Sequence, residues 1–227
     1  MILVNEIFYS LQGEGRLAGV PSVFVRIAGC PLNCRWCDTK YARSESAGRE
    51  CSIEDVKKEV LGHPTRYAVI TGGEPMVCDG LAELTEGLSK ARMHVTIETS
   101  GVEFVPDLKC DLMSISPKLS NSIPTDSAGA TEHKERCFNA DAIRRLMNGY
   151  EYQLKFVVDT PADLDEIAGC VEEIKNMNPY KVFLMPQATT RRQLVEKSQM
   201  LAEYCLQTGF AMSQRLQVML WEGQRGK

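Results

Sequence analysis

Hydrophobic and polar positions along the chain follow two different periods, one typical of strands and the other of helices. Short runs rich in Val, Ile and Phe predict strands, whereas apolar residues spaced three or four positions apart predict helices. The predicted strands are ILVNEIFYS (2–10), PSVFVRIAG (21–29), RYAVIT (66–71), HVTIETSG with its turn (94–101), DLMSISPK (111–118), YQLKFVV (152–158), KVFLMPQ (181–187) and FAMSQRLQVMLW (210–221).

The predicted helices lie between these strands, and several carry terminal signals. Ser52 and Asp79 are predicted N-caps, Thr160-Pro161 begins a helix with Pro at its first position, and Gly209 closes the last one. The polar segment 119–135, rich in Ser, Thr and Pro, predicts a long loop. The predicted helices cover 52–62, 79–91, 139–148, the segment that begins at 160–161, and 190–208.

Strands that alternate with helices predict parallel βα units. About six units are too few for a closed barrel of eight. We therefore predict an α/β fold, either an open, partial β/α barrel of about six parallel strands with helices outside or a doubly wound sheet. The length of 227 residues and the 44% hydrophobic content predict a single domain, residues 1–227. Ligands bind at the carboxyl ends of the strands in both architectures.

Charge and hydropathy narrow the classes of partner. The net charge of −4 gives no electrostatic footprint for nucleic acid or a membrane surface. No apolar run approaches the roughly 18 residues of a membrane span. The N-terminal residues lack the basic and apolar regions of a signal peptide. We therefore predict a cytoplasmic location without disulfides.

Three of the nine cysteines lie within the short segment GCPLNCRWCDTKY, at positions 30, 34 and 37. The other six are scattered singly and are expected to be small buried residues. Gly29 and Pro31 flank the first cysteine of the group, so the segment is predicted to be a loop. Simple burial does not explain this group, because the residues around its thiols are polar.

Three kinds of site are compatible with the cysteine spacing. A structural zinc ion needs four ligands, and the fourth would have to come from Cys51, His63 or farther away. A thioredoxin-like redox pair would use Cys34 and Cys37 and leave Cys30 over. A four-iron, four-sulfur cluster held by three cysteines has a fourth iron without a protein ligand, which is free to bind a small molecule.

The spacing Cys30-x3-Cys34-x2-Cys37 matches the signature of the radical S-adenosylmethionine (SAM) superfamily, and TGGEP (71–75) resembles its GGEP motif. Further motifs resemble the 7-carboxy-7-deazaguanine synthase (QueE) family. These motifs are EIFYSLQGEG (6–15), VFVRIAGCPLNCRWCDT (23–39), IETSG (97–101) and SPK (116–118).

The resemblance implies a radical SAM enzyme that makes a precursor of queuosine. In the superfamily, SAM chelates the open iron of a [4Fe-4S] cluster, and one electron from the cluster cleaves SAM to yield a 5′-deoxyadenosyl radical. In the family, this radical removes a hydrogen atom from C6 of 6-carboxy-5,6,7,8-tetrahydropterin. The ring contracts, ammonia leaves and 7-carboxy-7-deazaguanine forms. SAM is regenerated, and Mg²⁺ is required.

The resemblance also implies roles for individual residues. Cys30, Cys34 and Cys37 would bind three irons, and Thr39 would bind Mg²⁺. The predicted contacts to SAM are Trp36, Cys37, Asp38, Gly73, Glu74, Glu98, Ser116, Pro117, Lys118 and Gln187. The predicted contacts to the pterin are Leu11, Gln12, Gly13, Glu14, Arg26 and Thr71. The planar guanidinium of Arg26 suits a carboxylate, and Glu14 can accept hydrogen bonds from a guanidine-like ring edge.

The C-terminus departs from the family pattern. Many members end in His-Lys-Tyr-Leu-Asn-Ile-Pro or close to it, whereas this chain ends RLQVMLWEGQRGK, with Gln217 as the counterpart of the histidine. The family further suggests a homodimer and a reductant protein such as flavodoxin or ferredoxin. Two rival functions share the cysteine group, a glycyl-radical activase that acts on a protein and a zinc-stabilised binding module.

Overall fold

The structure is a computed structural model that describes residues 1–125 and 127–227. Within these residues the chain forms nine strands and seven α-helices. The strands are β1 (Ile2–Leu11), β2 (Pro21–Ile27), β3 (Arg49–Cys51), β4 (Tyr67–Gly72), β5 (His94–Thr99), β6 (Leu112–Ile115), β7 (Tyr152–Val158), β8 (Val182–Pro186) and β9 (Ala211–Met212). The helices are α1 (Ile53–Leu61), α2 (Leu81–Lys90), α3 (Ser127–Arg136), α4 (Ala140–Gly149), α5 (Ala162–Ile174), α6 (Arg191–Thr208) and α7 (Leu216–Trp221).

All the strands belong to one sheet in the order β3-β1-β2-β4-β5-β6-β7-β8-β9. The strands β2, β4, β5, β6, β7, β8 and β9 run parallel to one another, whereas β1 is antiparallel to both β2 and β3. The edge strands β3 and β9 do not pair with each other in the described part of the chain, so the sheet is open. The predicted α/β fold with an open parallel sheet is confirmed, while its organisation as a single domain stays a prediction.

The core lies where the parallel strands pack against the helices. Every residue of β7 is buried, as expected for an interior strand of a parallel sheet. Leu84 and Leu88 of α2, which the helical period places inward, are fully buried in the same cluster as Ile70 and Ile97 of the neighbouring strands. Burial of these side chains stabilises the sheet by about 1.5–3 kcal/mol for each large aliphatic group.

Two of the predicted helix ends are confirmed and two are displaced by one residue. The Ser52 hydroxyl accepts a hydrogen bond from the backbone N–H of Asp55, as an N-cap should. Gly209 closes α6 with φ of +75°, the left-handed conformation that favours glycine. Helix α2 begins after Gly80, not after Asp79, because Gly80 has φ of +83° at the N-cap position. Helix α5 begins at Ala162, so Pro161 is its N-cap and not its first residue.

Two segments differ from their sequence prediction. The predicted loop 119–135 contains a single 3-10 turn, Ser120–Ser122, and most of α3; Asp126 lies outside the described residues. The predicted strand 210–221 is wrong beyond Met212, because β9 pairs through only two residues at the edge of the sheet. The chain then forms α7, whose Val218 packs against Ala188 and Leu194. Short apolar runs do not distinguish a strand from a helix by period alone.

Helix α3 is fixed to the cysteine loop by a buried histidine. The Nδ1 of His133 accepts a hydrogen bond of 3.1 Å from the backbone N–H of Asn33. The Nε2 of His133 lies 2.8 Å from the hydroxyl of Ser122, which itself donates to the carbonyl of Leu119. The Nε2 therefore carries the proton, and the imidazole is neutral. Burial and the charge of Lys118 both lower the pKa of His133, which favours this neutral form.

We expect His133→Ala to loosen the cysteine loop, because the partly buried N–H of Asn33 loses its acceptor. The cost should be about 1–3 kcal/mol of unfolding free energy, and amide hydrogen exchange should accelerate in residues 30–37. His63→Ala is the matched control, since His63 stacks on Tyr9 instead. Equal exchange rates in the two variants would show that α3 does not hold the loop.

Candidate active site

A cavity of about 490 Å³ opens at the carboxyl ends of the parallel strands. Its wall comes from the end of β1, the cysteine loop, the ends of β2 and β4 to β8, and the C-terminal segment. All the site residues predicted from the sequence line this cavity except Glu74 and Pro117. The fold therefore brings motifs from both halves of the chain into one space.

Backbone hydrogen bonds hold the cysteine loop against its surroundings. The N–H of Cys30 donates to the carbonyl of Arg43, and the N–H of Cys37 donates to the carbonyl of Cys34. Gly29 has φ of +98°, which lets the chain turn out of β2 just before Cys30. Cys34 is buried, while Cys30 and Cys37 are partly exposed, and all three line the cavity.

The thiols are in an environment that disfavours free thiolates. Burial raises the pKa of Cys30 to about 12 and that of Cys34 to about 11; Glu74 adds to the effect at Cys30, whereas the charge of Lys118 partly opposes it at Cys34. A thioredoxin-like pair needs the opposite, a lowered thiol pKa at the start of a helix, and residues 34–37 do not open a helix. Three thiolates here require a bound cationic centre that offsets both burial and their mutual repulsion.

The donor set fits a [4Fe-4S] cluster better than a zinc ion. In residues 1–125 and 127–227, no three His, Cys, Asp or Glu side chains converge on a point where one metal ion could bind. A zinc ion needs four such ligands around a single centre. In a cluster each thiolate binds a different iron, so the three sulfurs of Cys30, Cys34 and Cys37 need not converge.

The TGGEP turn packs directly against the cysteine loop. The N–H of Gly73 donates to the carbonyl of Ile27 and that of Glu74 donates to the carbonyl of Gly29. A Cβ on Gly73 would lie 1.8 Å from the carbonyl oxygen of Gly29, so only glycine fits this contact. The close approach places the backbone of the turn beside Cys30.

The carboxylate of Glu74 is buried and turned toward the next strand. It accepts hydrogen bonds from the hydroxyl of Thr99, from the N–H and hydroxyl of Ser100, and from the N–H of Met76. The side chain therefore ties TGGEP to the ETSG turn and does not line the cavity. A contact of Glu74 with SAM stays a prediction, and its backbone is the part that lies nearest the cysteine loop.

A buried group of charged side chains lies in another part of the cavity wall. Glu14 accepts hydrogen bonds from Nζ of Lys155 at 2.6 Å and from Nε2 of Gln217 at 2.7 Å, and Nε of Arg215 is 3.4 Å from it. Burial by itself would raise the pKa of Glu14, but the charges of Lys155 and Arg215 and the two hydrogen bonds lower it to about 2. Glu14 is thus ionised at neutral pH.

Arg215 makes contacts with two separate parts of the cavity wall. Its Nη2 donates to Asp38 at 2.7 Å, and its Nη1 donates to the carbonyl of Ala188 at 2.6 Å. Asp38 follows the third cysteine, whereas Glu14 belongs to the LQGEG motif. The cysteine loop and the predicted pterin-binding segment are therefore connected through one guanidinium.

Arg26 is oriented by a second group of polar side chains. Its Nε donates to Glu6 at 2.8 Å, and Glu6 also accepts from the hydroxyl of Tyr41 and from Nε of Arg225. The guanidinium lies 5.5 Å from the ring centre of Phe8. Arg26 lines the cavity, and Nε makes its only side-chain hydrogen bond with the described residues, so the two terminal nitrogens still have donors for an anion.

The remaining predicted contacts are distributed around the cysteine loop. Lys118 donates to the hydroxyl of Ser116 and lies 5.7 Å from the ring centre of Trp36, whose indole N–H donates to Asn121. The hydroxyl of Thr39 is 3.6 Å from the sulfur of Cys37. The other predicted residues on the cavity wall are Leu11, Gln12, Gly13, Thr71, Glu98 and Gln187.

Sequence reasoning did not assign Lys155 or Arg215, and it noted Gln217 without placing it. The lysine inside the mostly apolar run YQLKFVV did indicate a buried, charged partner, because lysine is almost never fully buried without one. Arg215 and Gln217 had no comparable signal. Gln217 packs so closely on Gly13 that a Cβ there would lie 1.9 Å from its amide oxygen.

Comparison with known proteins agrees with this geometry. Residues 24–123 match the model of the radical SAM superfamily. The chain is 38% identical to the 7-carboxy-7-deazaguanine synthase of Halobacterium salinarum over 96% of this chain and 90% of that one. It is 37% identical to the enzyme of the same name from Rhodopirellula baltica, over 99% and 88%. The chain belongs to the 7-carboxy-7-deazaguanine synthase family.

The structural comparison gives the same family. The crystal structure of QueE from Escherichia coli superposes with a TM-score of 0.72 at 26% identity, and the match covers 93% of this chain and 92% of that one. Membership implies a [4Fe-4S] cluster and SAM as cofactors. No helix in the described residues is long and apolar enough to cross a membrane.

We expect Cys34→Ala to abolish both cluster assembly and turnover, because a thiolate bound to one iron is lost. Iron and sulfide analysis of anaerobically reconstituted protein measures this directly. Cys170→Ala is the matched control, since Cys170 lies on α5 and does not line the cavity. A Cys34→Ala protein that retained the iron and sulfide content of the control would contradict the assignment of the ligands.

Proposed function

We propose that this protein converts 6-carboxy-5,6,7,8-tetrahydropterin to 7-carboxy-7-deazaguanine, with release of ammonia. Family membership supports the reaction. One observation supports this substrate in particular. The ionised carboxylate of Glu14 and the guanidinium of Arg26, whose terminal nitrogens are free, line the same cavity as the three thiols. The substrate has complementary groups, a guanidine-like edge that donates hydrogen bonds and a carboxylate that accepts them.

The pterin is held by residues from the first two strands. Glu14 accepts from the guanidine-like edge, because each carboxylate oxygen has a second acceptor position beside its existing hydrogen bond. Arg26 donates to the substrate carboxylate through its terminal nitrogens, and Glu6 keeps the guanidinium in place. Leu11, Gln12 and Gly13 contribute the adjoining wall, and Thr71 faces the ring from the end of β4.

The residues for the cofactors surround the cysteine loop. Cys30, Cys34 and Cys37 would hold the [4Fe-4S] cluster, and SAM would contact Gly73, Glu98, Ser116, Lys118, Gln187 and the loop residues Trp36 to Asp38. The cluster and SAM together supply the radical that takes the hydrogen atom from C6. The hydroxyl of Thr39 is proposed as a ligand of Mg²⁺, a cation that prefers hard oxygen donors and keeps several waters.

The C-terminal segment helps to exclude water from this reaction. Residues 222–227 line the cavity, and Arg225 anchors the segment through Glu6 and a contact 4.1 Å from the ring centre of Tyr41. Exclusion of water protects a radical and strengthens the electrostatic contacts to the substrate. We further propose a cytoplasmic homodimer that receives electrons from a protein such as flavodoxin or ferredoxin.

Among radical SAM enzymes, the rival function is a glycyl-radical activase, which acts on a protein. The cavity argues for a small anionic heterocycle, because its wall contains buried, oppositely charged groups such as Glu14 and Lys155.

Anaerobic incubation with SAM, dithionite, Mg²⁺ and 6-carboxy-5,6,7,8-tetrahydropterin tests the proposal. We expect 7-carboxy-7-deazaguanine to appear, with SAM consumed in less than stoichiometric amounts. A protein that contained the full cluster, cleaved SAM and formed none of this product would refute the proposed substrate. Omission of Mg²⁺ should lower the rate and so tests the requirement for this cation.

We expect Arg26→Ala to weaken pterin binding by about tenfold to a hundredfold, because a charge-assisted hydrogen bond to the substrate carboxylate is lost. Reductive cleavage of SAM without substrate should persist. Arg16→Ala is the matched control, since Arg16 pairs with the exposed Glu151 outside the cavity. Unchanged pterin affinity in Arg26→Ala would show that another group binds the carboxylate.

A further inference from the structure

Lys155 is a buried cation in the middle of the sheet. It belongs to β7, whose residues are all buried, and its side chain is only 4% exposed. The side chain points into the cavity. An isolated ammonium group would be strongly destabilised there, so Lys155 needs groups of opposite charge around it.

Two carboxylates surround the ammonium group. Its Nζ is 2.6 Å from an oxygen of Glu14 and 3.8 Å from an oxygen of Glu98. The amide of Gln12 also donates to Glu98, at 3.2 Å. Burial would lower the pKa of Lys155, but the two carboxylates raise it above its usual value, so the group remains charged. One cation thus offsets the charge of a carboxylate from the segment after β1 and of another from β5.

The other nearby cation, Arg215, also lowers the pKa of Glu14 through its charge, but it does not fix the orientation of the carboxylate by a hydrogen bond. Arg215 approaches Glu14 only through Nε, at 3.4 Å and without a hydrogen bond. Its terminal nitrogens donate to Asp38 and to the carbonyl of Ala188. Gln217 donates to Glu14 but carries no charge. Lys155 is therefore the cation that is directly hydrogen-bonded to Glu14.

We propose that Lys155 is a positioning residue that determines substrate selectivity by keeping Glu14 ionised and fixed in orientation. An ionised carboxylate only accepts hydrogen bonds. The cavity consequently binds a ring edge that presents two N–H donors and rejects an edge on which an oxygen replaces the amino group. This inference rests on the proposed function and assigns a role to a residue outside the predicted contacts.

Removal of the cation changes the chemistry of Glu14 in a definite direction. In Lys155→Met, the pKa of Glu14 rises relative to the wild-type protein, because burial is then opposed only by the charge of Arg215 and the hydrogen bond from Gln217. As the pH falls through this raised value, Glu14 takes up a proton and becomes a donor as well as an acceptor. Ligands that present two N–H donors to Glu14 then bind more weakly, while a ligand that presents an oxygen there binds better.

The experiment compares two unreactive ligands, 6-carboxypterin and its 2-oxo analogue 6-carboxylumazine. Binding to the holoenzyme with SAM is measured by fluorescence titration at mildly acidic and mildly alkaline pH. We expect the wild-type protein to prefer the pterin at both pH values, because the pKa of Glu14 lies far below this range. Lys155→Met should lose about tenfold to a hundredfold in pterin affinity at acidic pH, regain part of it at alkaline pH, and discriminate poorly against the lumazine.

Two further variants separate positioning from packing. Lys155→Arg restores the charge and should recover the wild-type pH profile at least in part. Gln153→Leu is the matched control, because Gln153 also lies buried on β7 and binds the backbone N–H of Arg16 but does not touch Glu14. Any loss of affinity in Gln153→Leu should be the same at both pH values.

A combination with Glu14→Gln provides an independent check. The amide of Gln does not ionise, so adding Lys155→Met to Glu14→Gln should not change the pH dependence of ligand binding. If Lys155→Met does not fold, as judged by circular dichroism, Lys155→Gln replaces it. Wild-type selectivity and pH dependence in folded Lys155→Met, or a pH dependence that persists with Glu14→Gln, would overturn the inference.

The result also distinguishes this inference from the proposed function. If the wild-type enzyme forms no 7-carboxy-7-deazaguanine and binds neither ligand, the proposed function fails and the inference fails with it. If the wild-type enzyme turns over the pterin while Lys155→Met keeps wild-type selectivity at both pH values, only the inference fails.

Discussion

The parallel pairing of β2 with β4 is the constraint on which the site depends. Parallel strands end at the same edge of a sheet, so the cysteine loop after β2 and the TGGEP turn after β4 must meet there. The contact is made by backbone, through the N–H groups of Gly73 and Glu74, and it tolerates no side chain at Gly73. The buried carboxylate of Glu74 then extends the arrangement to β5.

A second part of the site consists of charged side chains that the fold shields from water. Glu14, Glu98, Lys155 and Arg215 lie on four different parts of the chain, and each is partly or fully buried. Buried ion pairs contribute little net stability, because desolvation costs about as much as the attraction returns. Their contribution here is chemical, since they maintain a fixed pattern of donors and acceptors on the cavity wall.

The sequence predicted the parts of the site whose chemistry is local. Three cysteines within one loop, a glycine turn and a strand-borne arginine are visible in single motifs, and the parallel sheet follows from the alternation of strands and helices. Segments 119–135 and 210–221 were predicted less well. The apolar run of α7 has no decisive period, and α3 is held in place through His133 by contacts to a loop about a hundred residues earlier.

What the sequence determined by itself was therefore the type of chemistry, because ligand spacing and strand order are properties of neighbouring residues. Only the tertiary structure decided which charges meet. Glu14 and Lys155 are 141 residues apart, and Glu14 and Gln217 are 203 apart, yet each pair is joined by a hydrogen bond. Such contacts depend on the register of the sheet and the path of the C-terminal segment. Neither the register nor this path can be predicted from a short stretch of sequence, because both depend on the free energy of packing the whole chain.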